Sequence, residues 1–338
     1  MTPDERKRLQ LAAGLAMASV AVAAAGMAAG GEGWSPAGLV RALGTAEGRL
    51  IVFDIRAPRT LGAWLTGALL GLSGAAAQGL FRNPLADPFL LGSASGAVLG
   101  VVLVLAAASL GGHAVSVATA GAIARFGLVG AAFAGALLGV LLALSLARGA
   151  QETMHLLLAG VVVGVLLTAA SDLITTAAPD SLRGKQAFLL GSTGFLGWGS
   201  CAFMALGLAA TLPAAWRLAR VLDALTLGTE TAASLGLQLG RLRLALVAAI
   251  ALATGLAVSQ AGLIAFVGLI SPHLVRRFAP ANHGFSLVAS AAAGGTLLLT
   301  ADVLARTLVA PQEVPVGVLT GLLGGSYLIW LLRRRRAA

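Results

Sequence analysis

Ten runs of small apolar residues, each closed by charges, prolines or a short polar segment, leave this chain few ways to fold. They lie near 10–30, 60–80, 89–109, 121–147, 153–176, 194–218, 240–259, 261–278, 284–309 and 315–333. Roughly 20 apolar residues are what a helix needs to cross the ~30 Å hydrocarbon layer. Inside that layer a backbone must satisfy its own polar groups, which makes runs of this length helices. Of the 338 residues 58% are hydrophobic and 11% charged, against about 25% charged in a soluble domain. The sequence predicts an all-α polytopic membrane protein of about ten transmembrane helices, one transmembrane domain over 1–338.

The apolar excess is alanine, leucine and glycine. Small residues recur four apart at Gly67/Gly71, Gly96/Gly100, Gly135/Gly139, Gly160/Gly164 and Gly317/Gly321/Gly325, the spacing that lets helix backbones approach closely. Compositional drift toward Ala and Gly accounts for part of the pattern. The single cysteine, Cys201, excludes an internal disulfide framework and a cysteine-rich metal cluster.

A net charge of +10 invites a nucleic-acid reading, but the basic residues sit in short clusters between apolar runs. With ten spans and an inner N-terminus, the inner segments hold Arg6, Lys7, Arg8, Arg82, Arg148, Arg217, Arg220, Arg241, Arg243, Arg276, Arg277 and Arg333–Arg336. That is 15 of the 23 Lys and Arg. The outer side keeps Arg41, Arg49, Arg56, Arg59, Arg125, Arg183, Lys185 and Arg306. This bias places both termini in the cytoplasm. The N-terminal run resembles a signal peptide but is longer than a usual signal core, and it reads as an uncleaved first span.

One interruption stands out. Gln78–Gly92 places Arg82, Asn83, Asp87, Pro84 and Pro88 between two apolar runs; neither proline continues a helix, so a bent polar corner is expected on the inner side. The outer loop 31–58 carries Arg41, Arg49 and Arg56, with Arg59 just beyond. Such arginines suit either lipid headgroups or the carboxylates of an acidic soluble partner. Arg306 belongs to the same face, although Asp302 four residues earlier offers an intrahelical pair. Between the sixth and seventh spans, Val221–Arg243 is too polar to cross and too apolar for a solvated tail. Thr229 can cap a short helix, Glu230 suits its first turn and Gly236 its end, and a helical stub is expected at Asp223–Leu227. Leu225, Leu227, Leu235 and Leu237 must pack either on the span ends or on a partner subunit. A faint repeat at an offset of 188 residues, Thr66-Gly67 on Thr254-Gly255, Gly74 on Gly262 and Pro84 on Pro272, fits an inverted-topology repeat.

The absent chemistry narrows the function. No phosphate-binding G-x-x-x-x-G-K-[ST] loop occurs, since Gln186 follows Gly184-Lys185, and there is no H-E-x-x-H or nucleophile elbow. His113, His155, His273 and His283 are scattered and read as helix-end or packing residues. Asp172 has no evident partner. A proton-coupled carrier would want several intramembrane acids, and Asp302 alone is a poor case.

Taken in order, I-R-A-P-R-T from Ile55, S-G-A-A-A-Q-G-L-F-R-N-P-L-A-D-P-F-L-L-G (73–92), L-L-L-A-G-V (156–161), L-G-T-E-T-A-A-S-L-G-L (227–237), F-V-G-L-I-S-P-H-L-V-R (266–276), A-D-V-L-A-R-T-L (301–308) and E-V-P-V-G-V-L-T-G-L-L-G (313–324) resemble the permease subunits of type II ABC importers, which take up iron–siderophores, haem and cobalamin. The resemblance covers about 50–335. Ala57, where leucine is usual, and Ser271, where a small apolar residue is common, depart from it.

The resemblance implies a homodimer in the bacterial inner membrane, with two ATP-binding subunits below and one periplasmic substrate-binding protein above. ATP and Mg would be held by those ATPase subunits; this chain would bind no cofactor, metal or nucleic acid and would not itself be an enzyme. Arg56, Arg59 and Arg306 match positions expected to dock the binding protein. Leu227, Gly228, Thr229, Glu230, Thr231, Ala232, Ala233, Ser234, Leu235 and Gly236, within a coupling loop 221–239, match the helices that sit on each ATPase. Asn83 and Leu85 match the cytoplasmic gate, with Gln151, Glu152 and Thr153 as its second element. The implied activity is ATP-driven alternating access for a ferric siderophore or haem, with cobalamin next. Arg183 and Lys185 would suit an anionic chelate or plain solvation. A secondary transporter or channel working without an ATPase is the competing class.

Overall fold

Thr2 and Glu5 form a capping box on the first helix, α1 (Pro3–Ala28): the Thr2 hydroxyl accepts from the Glu5 amide at 3.2 Å and the Glu5 carboxylate from the Thr2 amide at 2.7 Å. A two-residue antiparallel pair, β1 (Ala29–Gly30) and β2 (Gly33–Trp34), turns the chain into α2 (Pro36–Leu43), capped by Ser35, and α3 (Ala46–Leu50), capped by Thr45. A π-helical turn, Ile51–Arg56, continues α3 into α4 (Ala57–Phe81). The helices α5 (Ser93–Leu110), α6 (Ala122–Leu146), α7 (Thr153–Ala177), α8 (Ser181–Leu190) and α9 (Trp198–Arg217) follow. Two short helices come next, α10 (Ala219–Thr226) and α11 (Thr229–Ser234), and then α12 (Leu239–Ala261), α13 (Val267–Phe278), α14 (His283–Thr307) and α15 (Val316–Arg336). This computed structural model describes residues 2–30, 33–111, 122–147, 149, 153–234 and 236–336, with backbone alone at 122–124, 332 and 334–336.

Eight helices among the described residues are long and apolar enough to cross a membrane, and α15 is apolar over Val316–Leu331. The eighth expected span, 261–278, is broken. Gly262 ends α12 at φ +72°, residues 262–266 are not helical, and α13 has 12 residues. At 1.5 Å per residue such a helix covers only about 18 Å, so this pass is half loop, half helix. The outer loop 31–58 is itself structured, holding β2, α2, α3 and the π turn. At the 188-residue offset Thr66-Gly67 and Thr254-Gly255 both lie buried inside membrane helices, α4 and α12, whereas Gly74 lies inside α4 and Gly262 terminates α12, and Pro84 sits in a turn and Pro272 inside α13.

The bundle is organised on α4, in which every residue from Leu65 to Leu80 is buried. Its glycines touch backbone directly. A Cβ on Gly67 or Gly71 would overlap the Gly294 or Ser290 carbonyl of α14, and one on Gly74 would overlap the Gly268 carbonyl of α13. Gly268 is the residue whose carbonyl Pro272, lacking an N–H, cannot take as the helical i−4 partner. The side chain of Gln78, one turn beyond Gly74, donates to the Leu269 carbonyl at 3.1 Å, and its own oxygen accepts from Arg276. So α4 covers the stretch of α13 that the proline leaves open. A second seam joins α5 to α6, where Gly96 meets Gly135 and Gly100 meets Ala131. The C-terminal glycines behave differently: Gly317 lies on the Leu190 and Leu263 carbonyls, but among the described residues nothing outside its own helix turn lies within 4 Å of a Cβ at Gly321 or Gly325.

Gly74→Ala forces α4 and α13 apart and is expected to cost about 3 kcal/mol, the upper end of ordinary overpacking. Thermal unfolding of the detergent-solubilised protein checks this, and an unchanged midpoint would contradict the seam.

Candidate functional site

Polar side chains gather at the two ends of the bundle. At one end Asp302, fully buried in α14, accepts from Arg59 Nε at 3.1 Å, from Arg306 Nη2 at 2.6 Å and from the Thr193 hydroxyl at 2.5 Å. Arg59 reaches on to Glu313 at 2.8 Å. Arg306 also donates to the Gly26 and Ala29 carbonyls, and Arg56 to that of Met27 at 3.1 Å. These carbonyls lie at and just beyond the C-terminus of α1, where a helix has no internal donors and carries partial negative charge. The arginines thus do for α1 what a capping residue would. Arg59 and Arg306 pair with the carboxylates of Asp302 and Glu313 while Arg56 donates to a carbonyl, so this group of three guanidiniums and two carboxylates is net positive.

The structure sorts the three arginines expected to dock a partner. The pair of Arg306 with Asp302 is formed, and at 3% exposure Arg306 is held inside, so its charge is not presented to a docking protein. Arg56 is half-buried, and Arg59, with 11% of its side chain exposed, is largely buried between Asp302 and Glu313. Thr193 and Glu313, which complete the network, were not singled out from the sequence. Glu313, an acid in the turn between two spans, was a usable signal; Thr193, in a Ser-Thr-Gly turn, gave none. A cavity of about 250 Å³ adjoins the network, with Arg59, Arg125, Phe195, Gln260 and Glu313 among its walls; Arg125 stands 5.8 Å over the Phe195 ring. Lys185 is buried in an ion pair with Asp172, which therefore has a partner, while Arg183 is exposed.

At the other end, α4 stops at Arg82, whose φ of 50° is left-handed. The Asn83 side chain accepts from the Leu85 amide at 2.9 Å and so shapes the turn. Leu85 is 47% exposed. Asp87 caps the 3₁₀ turn Pro88–Leu91 through the Phe89 amide at 2.8 Å; burial pushes its carboxyl up, and that hydrogen bond offsets part of the shift. Thr153 opens α7. Gln151 and Glu152, the other expected gate residues, lie outside the described residues.

The loop 221–239 holds two helices, as expected, with shifted ends. The stub runs Ala219–Thr226 instead of Asp223–Leu227, and Thr229 is the first residue of α11, not its cap. Gly228 and Gly236 bracket α11 at φ +106° and +77°. Leu225 is buried with Val221, Ala224 and Ala232, and Leu237 packs against them, so these two leucines are satisfied within the chain. Leu227 is 66% exposed, and Gly228, Thr229, Glu230, Thr231, Ala233, Ser234 and Gly236 are at least partly exposed. Leu235 lies outside the described residues. His283 opens α14 and meets Asp223 of α10 at 2.7 Å. Among the described residues no group of three or more His, Cys, Asp or Glu could hold a metal ion.

A membrane-spanning helical bundle that carries a charged network at one end and an exposed two-helix loop at the other, with no phosphate-binding loop, is a transport permease in class. Residues 15–334 match the FecCD transport family, and the chain belongs to that family. It is 40% identical over 288 residues to the hemin transport system permease protein HmuU of Yersinia pestis, covering 85% of this chain and 84% of that one. It is 39% identical over 293 residues to the vitamin B12 import system permease protein BtuC of Escherichia coli, covering 86% of each. A solved metal-chelate type ABC transporter in an inward-facing conformation superposes with a TM-score of 0.82 at 26% identity, over 95% of this chain and 98% of that one.

Removing the acid at the centre of the arginine network leaves two buried guanidiniums without it. Asp302→Ala is expected to cost about 3–5 kcal/mol, the range for breaking a buried pair from one side, and Asp302→Asn, which still accepts hydrogen bonds, distinctly less. Thermal unfolding of both variants measures this.

Proposed function

We propose that this chain is the translocating subunit of an ABC importer for a metal chelate, working by alternating access in the inner membrane with both termini cytoplasmic. A ferric siderophore or haem is the favoured cargo and cobalamin the next. The observation that carries the reading is the likeness to haem and vitamin B12 permeases over about six-sevenths of the chain, with a metal-chelate transporter as structural neighbour. No nucleotide-binding loop exists here, so the energy comes from separate ATP-binding subunits, and each partner must bind the inward and outward states differently. The uneven division of basic residues supports the orientation, with the arginine network outside and loop 221–239 inside.

Arg56, with Arg59 beside it, faces the periplasmic binding protein and pairs with its carboxylates; Arg306 acts behind them by holding Asp302 and α1. On the cytoplasmic face, the exposed side of Leu227–Gly236 enters the ATPase subunit, led by Leu227. Asn83 and Leu85 form one element of the inner gate, and the segment that leads into α7 at Thr153 supplies the other. Gly321 and Gly325, with nothing beyond their own helix turn within 4 Å of a Cβ among the described residues, leave a close-packing strip that suits a second copy.

The deciding experiment is uptake by proteoliposomes containing the permease, its ATPase and its binding protein, with ferric siderophore, haem and cobalamin offered in turn. ATP-dependent accumulation of one of them is expected; accumulation without ATP would establish the secondary-transport alternative. In the same system Arg56→Glu should slow binding-protein association about tenfold at low salt and flatten its dependence on ionic strength. Leu227→Asp, an exposed site where stability should change by less than about 0.5 kcal/mol, should release the ATPase subunit. Retained association in either case removes the corresponding contact.

A further inference from the structure

His283 joins three elements that are remote in sequence. Its backbone N–H donates to Asp223 Oδ1 at 3.0 Å, and its Nδ1 lies 2.7 Å from the same oxygen. A carboxylate that accepts both bonds fixes the proton on Nδ1. The rest of the ring lies against α4: a Cβ built on Gly79 would stand 3.0 Å from His283 Cδ2, 3.1 Å from Nε2 and 3.1 Å from Leu222 Cδ1. Gly79 is not an arbitrary seat. Its carbonyl accepts the Arg82 amide at 3.3 Å, and the neighbouring Gln78 carbonyl accepts the Asn83 amide at 3.2 Å, the two bonds that end α4 and start the turn 82–92. The ring therefore bears on the residue from which that turn is hung, while its other side is tied to α10 next to α11.

We propose that His283 is a positioning residue that transmits movement of the cytoplasmic loop to the inner gate turn and, along α14, to the charged network at the far end. This rests on reading Leu227–Gly236 as the ATPase contact. Asp223 and His283 keep side-chain exposures of 40% and 23%, and a pair so open to water adds little to stability, typically below about 1 kcal/mol. What it does supply is a fixed geometry. When α10 shifts, Asp223 draws the first residue of α14 with it and Leu222 presses on Gly79. Asp302 lies 19 residues further along the same unbroken helix, about 29 Å at 1.5 Å per residue.

The test is the ratio of substrate imported to ATP hydrolysed in the reconstituted complex. Asp223→Ala and Gly79→Ala, the second altering no polar group, should keep their ATPase subunits and lower the ratio about tenfold, inside the usual range of coupling free energies. Asp223→Asn keeps an oxygen to accept both bonds and should restore the ratio to within about twofold of the parent, a difference small beside that range. A ratio equal to the parent's in both Asp223→Ala and Gly79→Ala overturns the joint. So does a parallel loss of hydrolysis and uptake that Asp223→Asn does not rescue, because that pattern marks a merely structural pair. Leu227→Asp separates the two readings. If it leaves the ATPase bound, the coupling reading falls and the joint with it; if it releases the ATPase while Asp223→Ala and Gly79→Ala keep the parent ratio, the joint alone falls.

Discussion

Hydrocarbon offers no hydrogen bonds, so each backbone group freed by a break in a helix has to be covered by protein. That requirement explains why α4 is buried along most of its length. Pro272 leaves the Gly268 carbonyl without its helical donor, and the bare backbone of Gly74 closes over it while Gln78 takes the next carbonyl. The seam cannot carry side chains, because the distance that lets α4 reach α13 leaves no room for a Cβ. Van der Waals packing at such distances is the main force holding helices together in lipid, so a glycine here stabilises more than a larger apolar residue could.

The same requirement accounts for the arginine end. The last carbonyls of α1 emerge among other helices, and Arg306 and Arg56 supply the donors. Burying a guanidinium is costly unless it is paired, so Asp302 sits at the centre and Arg59, Thr193 and Glu313 complete the shell. A group built for this structural need also leaves excess positive charge near the surface.

Much of this was legible in the sequence because membrane spans announce themselves by length, and because Gly-xxx-Gly spacing marks where backbones meet. Gly67/Gly71 and Gly96/Gly100 lie in seams, as that spacing implies. The half-length α13 was not legible: residues 262–266 are as apolar as a helix, and hydropathy does not register the positive φ of Gly262 and Phe266. Nor could spacing show that Arg306 turns inward, since the choice between Asp302 and a partner depends on how close α1 comes. His283 looked like a helix-end residue, which it is; its role as a joint appears only when residues 79, 223 and 283 are seen to converge.

The two seams also limit how such a bundle can move. Because α4 and α14 touch backbone to backbone at Gly67 and Gly71, sliding one along the other would drive Cβ atoms into carbonyls, and the two must travel together. The pair α5–α6 is locked in the same way, and Gly160 of α7 lies against the Leu90 carbonyl, which holds the 3₁₀ turn to that group. A rocking motion that opens one end and closes the other therefore has to divide the chain between α4 with α14 on one side and α5–α7 on the other. The shorter of the two covalent links between these bodies is the stretch 82–92, the other running from α7 through α8–α13 to α14. With its left-handed Arg82, the Asn83 turn and two prolines, it is the segment best suited to bend while the seams stay intact.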